Sequence, residues 1–168
     1  DDDLKGDTDL QKITLINLRG KNGPTGMPVE IIVSQQEGVL VGLTEFNYIK
    51  TFDRYGIGGH DRSYYLELLP DVALQRTTVR TKIAEDKRLQ RALEITSEMC
   101  QMKNMWHDME EGLLCTPKEL YEDLKAKGYN WDQLLATRGY WVYNDQEHEL
   151  PFLSTMDLLK MRKGEYSP

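Results

Sequence analysis

The chain has 168 residues, with 21 Lys and Arg against 28 Asp and Glu, for a formal charge of −7. Hydrophobic residues make up 39% and charged residues 29%, a globular composition that excludes a disordered tail or a fibre and suits one ordinary domain or two small ones. The charge deficit is even, with 9 basic and 12 acidic side chains in residues 1–80 and 12 and 16 in residues 81–168, so no part makes a general nucleic-acid footprint, and no apolar run reaches membrane-spanning length.

The first half carries short β-prone runs. Residues 10–18 fit a strand or a short helix equally, because ITLINL (Ile13–Leu18) matches neither period cleanly. Val29–Ser34 (VEIIVS), Val39–Phe52 (VLVGLTEFNYIKTF) and Ser63–Leu69 (SYYLELL) read as strands, separated by turn-forming Gly, Pro and Asn clusters. Within the second of these, Val39, Val41 and Leu43 alternate but Phe46 falls out of phase. The slip near Thr44–Glu45 reads as a β-bulge, and the last two runs as a long hairpin with a Gly-rich tip.

After residue 80 the pattern becomes helical. Ala92, Ile95, Met99, Met102, Trp106, Met109 and Leu113 repeat at a 3-4 spacing, predicting one long helix from about Lys82 to Leu113 with a single apolar stripe. Three short helices follow. Thr116-Pro117-Lys118-Glu119 is a helix start, closed by Gly128. Asn130-Trp131-Asp132-Gln133 opens the second, which Gly139 stops, and Tyr140–Asn144 reads as extended. Ser154-Thr155-Met156-Asp157 opens the third, with Gly164 after its last apolar turn. Strands and helices are thus segregated, predicting an α+β fold with a β-rich domain at 1–80 and a helical domain at 81–168.

Chemical motifs are sparse. His60, His107 and His148 are isolated in sequence; His107 and Glu111 share a helix face at i,i+4, but there is no HExxH, so no metal or cofactor is expected. Gly56-Ile57-Gly58-Gly59 lacks the following helix and the GK[ST] of a phosphate loop and reads as a hairpin tip. Cys100 falls among methionines and reads as a small hydrophobe, while Cys115 precedes a helix start whose dipole favours a lower thiol pKa. There is no CxxC, no catalytic residue is assigned, and an enzyme built on His107 and nearby carboxylates is a minor alternative. No signal-peptide pattern is visible, and the start at Asp1 rather than Met implies processing, trimming or a longer parent chain.

Residues 116–139 have the outline of a helix-turn-helix. Lys118, Lys125, Lys127 and Arg138 are balanced by Glu119, Glu122, Asp123 and Asp132, so protein packing is the better reading and a regulatory or nucleic-acid-associated protein is the runner-up. Met105, Trp106 and Met109, with Tyr64 and Tyr65, are the candidate partner-binding residues, because a methionine-rich surface adapts to partner helices.

The order of features in residues 10–80 resembles a domain of tail and baseplate proteins from contractile-tailed phages and phage-like particles. The residues that carry it are Pro28, Val29 and Ile31; Glu45, Phe46 and Tyr48; Gly59 and Asp61; and Tyr64, Tyr65, Leu66 and Leu68, followed by the charged exit Gln75–Arg80. The resemblance implies a structural subunit, a connector or adaptor in the virion tail or baseplate. Such a protein would pass through the host cytoplasm during assembly, occur in several copies and bind other subunits rather than nucleic acid or membrane. The family commonly adds a C-terminal peptidoglycan-binding lysin motif, and nothing after residue 80 matches one.

A net charge of zero over residues 116–139 predicts negligible duplex DNA affinity at physiological salt, since counterion release needs clustered Lys and Arg. Fluorescence anisotropy with random duplexes should show no saturable binding below the micromolar range; tighter, sequence-dependent binding would restore the runner-up.

Overall fold

The computed structural model describes residues 9–16, 18, 28–105, 109–142 and 144–168. The fold is mixed α+β. Strands β1 (Leu10–Ile16), β2 (Pro28–Ser34) and β3 (Gly38–Val39) form one antiparallel sheet in the order β1-β2-β3. Helix α1 (Val41–Thr51) follows, then a second antiparallel meander of β4 (Ile57–His60), β5 (Ser63–Leu66) and β6 (Leu69–Leu74). The chain continues through α2 (Val79–Glu85), α3 (Lys87–Met105), α4 (Pro117–Ala126), α5 (Trp131–Leu135), a short 3-10 helix (Asp145–Glu149) and α6 (Thr155–Lys163).

Three sequence expectations are corrected. The stretch expected as the long bulged strand is the helix α1. Its buried residues Gly42, Leu43, Phe46, Asn47 and Ile49 make a 3.6-residue stripe, so the apparent slip between Leu43 and Phe46 is helical periodicity rather than a bulge. Tertiary burial here overrides the β preference of Val41, Thr44, Tyr48 and Thr51. The glycine-rich segment accordingly belongs to the β4–β5–β6 meander, not to a hairpin with residues 39–52. Finally, the long helix is divided. Asp86 is extended, and its Oδ1 accepts hydrogen bonds from the amides of Arg88 (2.9 Å) and Leu89 (3.2 Å), capping α3 and separating it from α2. At the other end α3 stops at Met105, so Met109 and Leu113 lie beyond the helix.

The start signals of the later helices hold, as do the glycine stops of α4 and α6, but not the expected stop of the second helix at Gly139. Thr116 Oγ1 accepts from the Glu119 amide at 3.1 Å, and Pro117 opens α4. Ser154 and Asp157 form a reciprocal capping box on α6, which Gly164 closes in the left-handed conformation. Helix α5 ends at Leu135, before Gly139.

Helix α3 is the centre of the packing and touches α1, α2, α5, α6 and β6. Residues Arg91 to Ser97 are buried in an unbroken run, so this part of the helix is enclosed on every side. One apolar cluster contains Leu43, Phe46 and Ile49 of α1, Leu66 and Leu74 of the meander, Leu93, Ile95 and Met99 of α3, and Leu120, Leu124, Leu158 and Leu159 of the later helices. It crosses residue 80 without interruption.

The enclosed part of α3 holds two charges. Arg91 Nη1 donates to Glu94 Oε2 at 2.8 Å, and Arg91 Nη2 donates to the Leu153 carbonyl. Burial pushes the Glu94 carboxyl above the usual range, against the opposing pull of Arg91. Gly139 lies flat over the pair: a Cβ there would fall 2.5 Å from Glu94 Oε1 and 2.8 Å from Arg91 Nη1. The adjoining Arg138 and Phe152 form a parallel bridge, which ties the segment after α5 to the segment before α6.

Away from α3, the first sheet is attached through few contacts. Thr44 Oγ1 donates to the Leu40 carbonyl (2.8 Å) and accepts from the Ile32 amide (3.0 Å), joining α1 to β2. Asp9 accepts two hydrogen bonds from Arg80, at 2.9 and 2.8 Å, and one from Ser34 Oγ at 2.8 Å. The Arg80 bonds, with the Ser34 bond, hold the Asp9 carboxyl well below its usual 3.8. A depressed folded pKa means the contact contributes fully above the ordinary Asp pKa and is lost as pH falls toward the folded value. Hydrogen-exchange protection of the Leu10–Ile16 amides should therefore be constant well above pH 3.8 and decline below it, and Asp9→Asn should lower it at neutral pH, the difference shrinking as the pH falls. Equal protection in the parent and Asp9→Asn would show that this contact does not anchor β1.

Candidate interaction surface

The register of the first sheet decides what each face carries. Ile13 lies opposite Ile31, Leu15 opposite Val29, and Val33 opposite both Gln11 and Val39. Directly paired residues share a face, so Ile13, Leu15, Val29, Ile31, Val33 and Val39 form one aliphatic surface with Gln11 at its border. The other face is different. Its Ile32 is buried, and Glu30 is tied to Asn47 of α1 (2.8 Å) and to Lys12 (3.5 Å). Helix α1 packs against β2 on this face, although Lys12, Thr14 and Ile16 of β1 stay exposed there; on the aliphatic face Ile13 is 42% exposed, Leu15 50%, Val29 51% and Val39 57%.

This arrangement departs from the usual one-sided sheet, where the solvent face is polar. Six aliphatic side chains with no charge among them make a patch of the kind that marks a protein contact. Covering what remains exposed would contribute about 1 kcal/mol per side chain. Among the described residues strand β1 also lies at the sheet edge, with β2 as its only neighbour in the sheet order. Its outer backbone groups are a template for pairing, and Lys12 is the only charged side chain along its length. Val39 belongs to a groove of about 580 Å³, lined also by Leu40, Val41, Leu43, Ile83 and Val142, which extends the apolar surface toward α2. Just before Val142 in the chain, Tyr140 and Trp141 are among the most exposed aromatics. The Tyr140 ring meets Phe152 edge-on at 4.9 Å.

The residues proposed from sequence are scattered by comparison. Tyr65 is exposed on β5, whereas Tyr64 points inward and stacks on Phe46 at 5.7 Å. Met105 is half-buried at the end of α3, and Met109 is half-buried against the core. Trp106 and His107 lie outside the described residues. The sheet face was not singled out, although Ile13, Leu15 and the VEIIV run carry its signal; pairing register is what aligns them.

The possibilities for chemistry are limited. Among the described residues there is no group of three or more His, Cys, Asp or Glu side chains able to hold a metal. His60 is exposed and accepts only a long hydrogen bond, 3.4 Å, from the Arg62 amide. Burial pushes the Cys115 thiol up to about 11, overriding any helix-dipole effect, and raises Cys100 as well. Helix α5, the second member of the helix-turn-helix outline, has five residues, and Trp131, Leu134 and Leu135 are buried. Trp131 Nε1 donates to the Leu68 carbonyl at 2.6 Å, fixing this turn inward against the meander.

Comparison of the chain with protein-family models, curated proteins and solved structures gave no match. No helix among the described residues is long and apolar enough to cross a membrane.

The thiols provide a direct check on this geometry. Both cysteines are buried with raised pKa, so iodoacetamide near pH 8 should leave them unmodified in the native protein and alkylate both in denaturant. Rapid alkylation of the native protein, followed by mass spectrometry, would contradict their burial.

Proposed function

We propose that this protein is a non-enzymatic binding subunit, an adaptor that joins a larger protein assembly through the aliphatic face of its first sheet. The observation that carries this reading is the patch of Ile13, Leu15, Val29, Ile31, Val33 and Val39, uncharged in a chain of net charge −7 and bordered at Val39 by a groove of mixed lining that includes Glu37 and Arg80. A monomer has no use for such a face, and its exposure costs solubility. A partner would cover it with an apolar surface of its own and could extend the sheet along β1. The virion tail or baseplate is the assembly we favour, and that choice rests on the sequence resemblance alone. One part of the resemblance differs in structure: the acidic-aromatic segment Glu45-Phe46 lies on α1, not on a strand.

Charging the patch tests the reading. Leu15→Glu and Val39→Glu each place a carboxylate at a half-exposed site, so the isolated protein should melt within about 1 kcal/mol of the parent. Each variant should lose the subunits that co-purify with the parent from its native source. If both assemble like the parent, the sheet face is not the docking surface. Recovery of tail or baseplate proteins with the parent would support the specific assembly, and recovery of a stable complex lacking them would replace it.

A further inference from the structure

A second feature, remote from the sheet face in sequence and chemistry, has the form of a ligand site. A cavity of about 440 Å³ is lined by Phe46 and Lys50 of α1, Arg54, Ile57, Asp61, Tyr64 and Arg76. Three of these side chains are cationic and one is acidic, a local charge of +2 in a protein whose total is −7. The volume falls within the range for small-molecule pockets. Its apolar part is rigid: Phe46 and Tyr64 stack at 5.7 Å with an interplanar angle of 18°, and Lys50 Nζ lies 5.5 Å from the Phe46 centroid.

Lys50 and Arg54 are neighbours at the end of α1, where the Arg54 amide donates to the Lys50 carbonyl at 3.3 Å, and the fold brings Arg76 to them from beyond β6. Lys50 is in the last turn of α1, and Arg76 follows β6. Arg54 sits in a turn where it and Asp53 both hold left-handed backbone, φ 55° and 54°, a conformation unfavourable for residues other than glycine. Arg54 Nη1 donates to Asp61 Oδ1 at 2.9 Å, but Asp61 is almost fully exposed, so the pair is weak and open to competition from a ligand. Arg76 is exposed and makes no hydrogen bond or ion pair among the described residues. Two guanidinium groups and an ammonium beside stacked rings suit an anion with three or more acceptor oxygens and an apolar body. A phosphate monoester carries about −1.5 to −2 at pH 7, which matches the charge of the lining.

We infer that this cavity binds a small phosphate monoester, its phosphate held by Arg54, Arg76 and Lys50 and its organic part seated against Phe46, Tyr64 and Ile57. The site is independent of the sheet face and of the assembly proposed above.

Calorimetric titration with phenyl phosphate and with inorganic phosphate, each at constant ionic strength against a sodium chloride control, tests it on the full chain. Phenyl phosphate should bind saturably at one site and more tightly than inorganic phosphate. Arg76→Gln removes a side chain with no described partner, so its melting temperature without ligand should equal the parent's, while affinity should fall about tenfold or more for the loss of a charge-assisted contact. Arg54→Gln should weaken binding in the same way. No saturable binding in the parent, or unchanged affinity in Arg76→Gln, would overturn the site. Equal affinities for the two compounds would overturn the role given to the aromatic floor.

Discussion

Everything in the structure is arranged around one constraint: α3 is enclosed on all sides between Arg91 and Ser97, and that enclosed stretch carries both a guanidinium and a carboxylate. Buried charges are tolerated only when paired and hydrogen-bonded. The pairing here joins distant parts of the chain. Arg91 answers Glu94 on its own helix and the Leu153 carbonyl from the segment before α6, and Gly139 closes over both because any side chain there would collide with them. The route of the chain from α5 to α6 follows from this requirement, as does the bridge between Arg138 and Phe152.

The enclosure of α3 also explains the asymmetry of the molecule. The second sheet and the helices α2, α4, α5 and α6 contribute apolar residues to the core shared with α3. The first sheet reaches that core through Ile32, with Leu10 packed against it, and through α1. Its remaining face is aliphatic and has no element of the described chain to pack against. Stability is concentrated at α3 and recognition at the edge, where a surface can be apolar without disturbing the fold. The cationic cavity occupies the junction between α1 and the meander.

Sequence made parts of this plain and hid others for identifiable reasons. Helices α4 and α6 were readable at both ends because Thr116, Ser154, Gly128 and Gly164 perform local tasks that need no tertiary information. Helix α1 was not. Leu40 offers no side-chain cap, and the segment is rich in β-branched and aromatic residues, so only the Leu43–Phe46–Ile49 spacing betrayed it. Asp86 was a readable cap, masked by apolar positions that continue in phase across it. The apolar stripe from Ala92 to Met102 was legible in the spacing, but the burial of Arg91 to Ser97 around it, which makes this an enclosed helix, was not. The sheet face depends on register between residues about twenty apart, and the cavity on Lys50, Arg54 and Arg76 meeting in space; neither is encoded in local spacing.

A double-mutant cycle on Arg91 and Glu94, read by denaturant unfolding, tests the central role of the enclosed pair. Arg91→Met and Glu94→Leu each strand one buried charge, and each should cost about 3–5 kcal/mol. The double variant removes both charges and should recover much of that loss, giving a large favourable coupling. Single variants that unfold within about 1 kcal/mol of the parent, or losses that simply add in the double variant, would contradict the claim that this pair sets the path of the chain around α3.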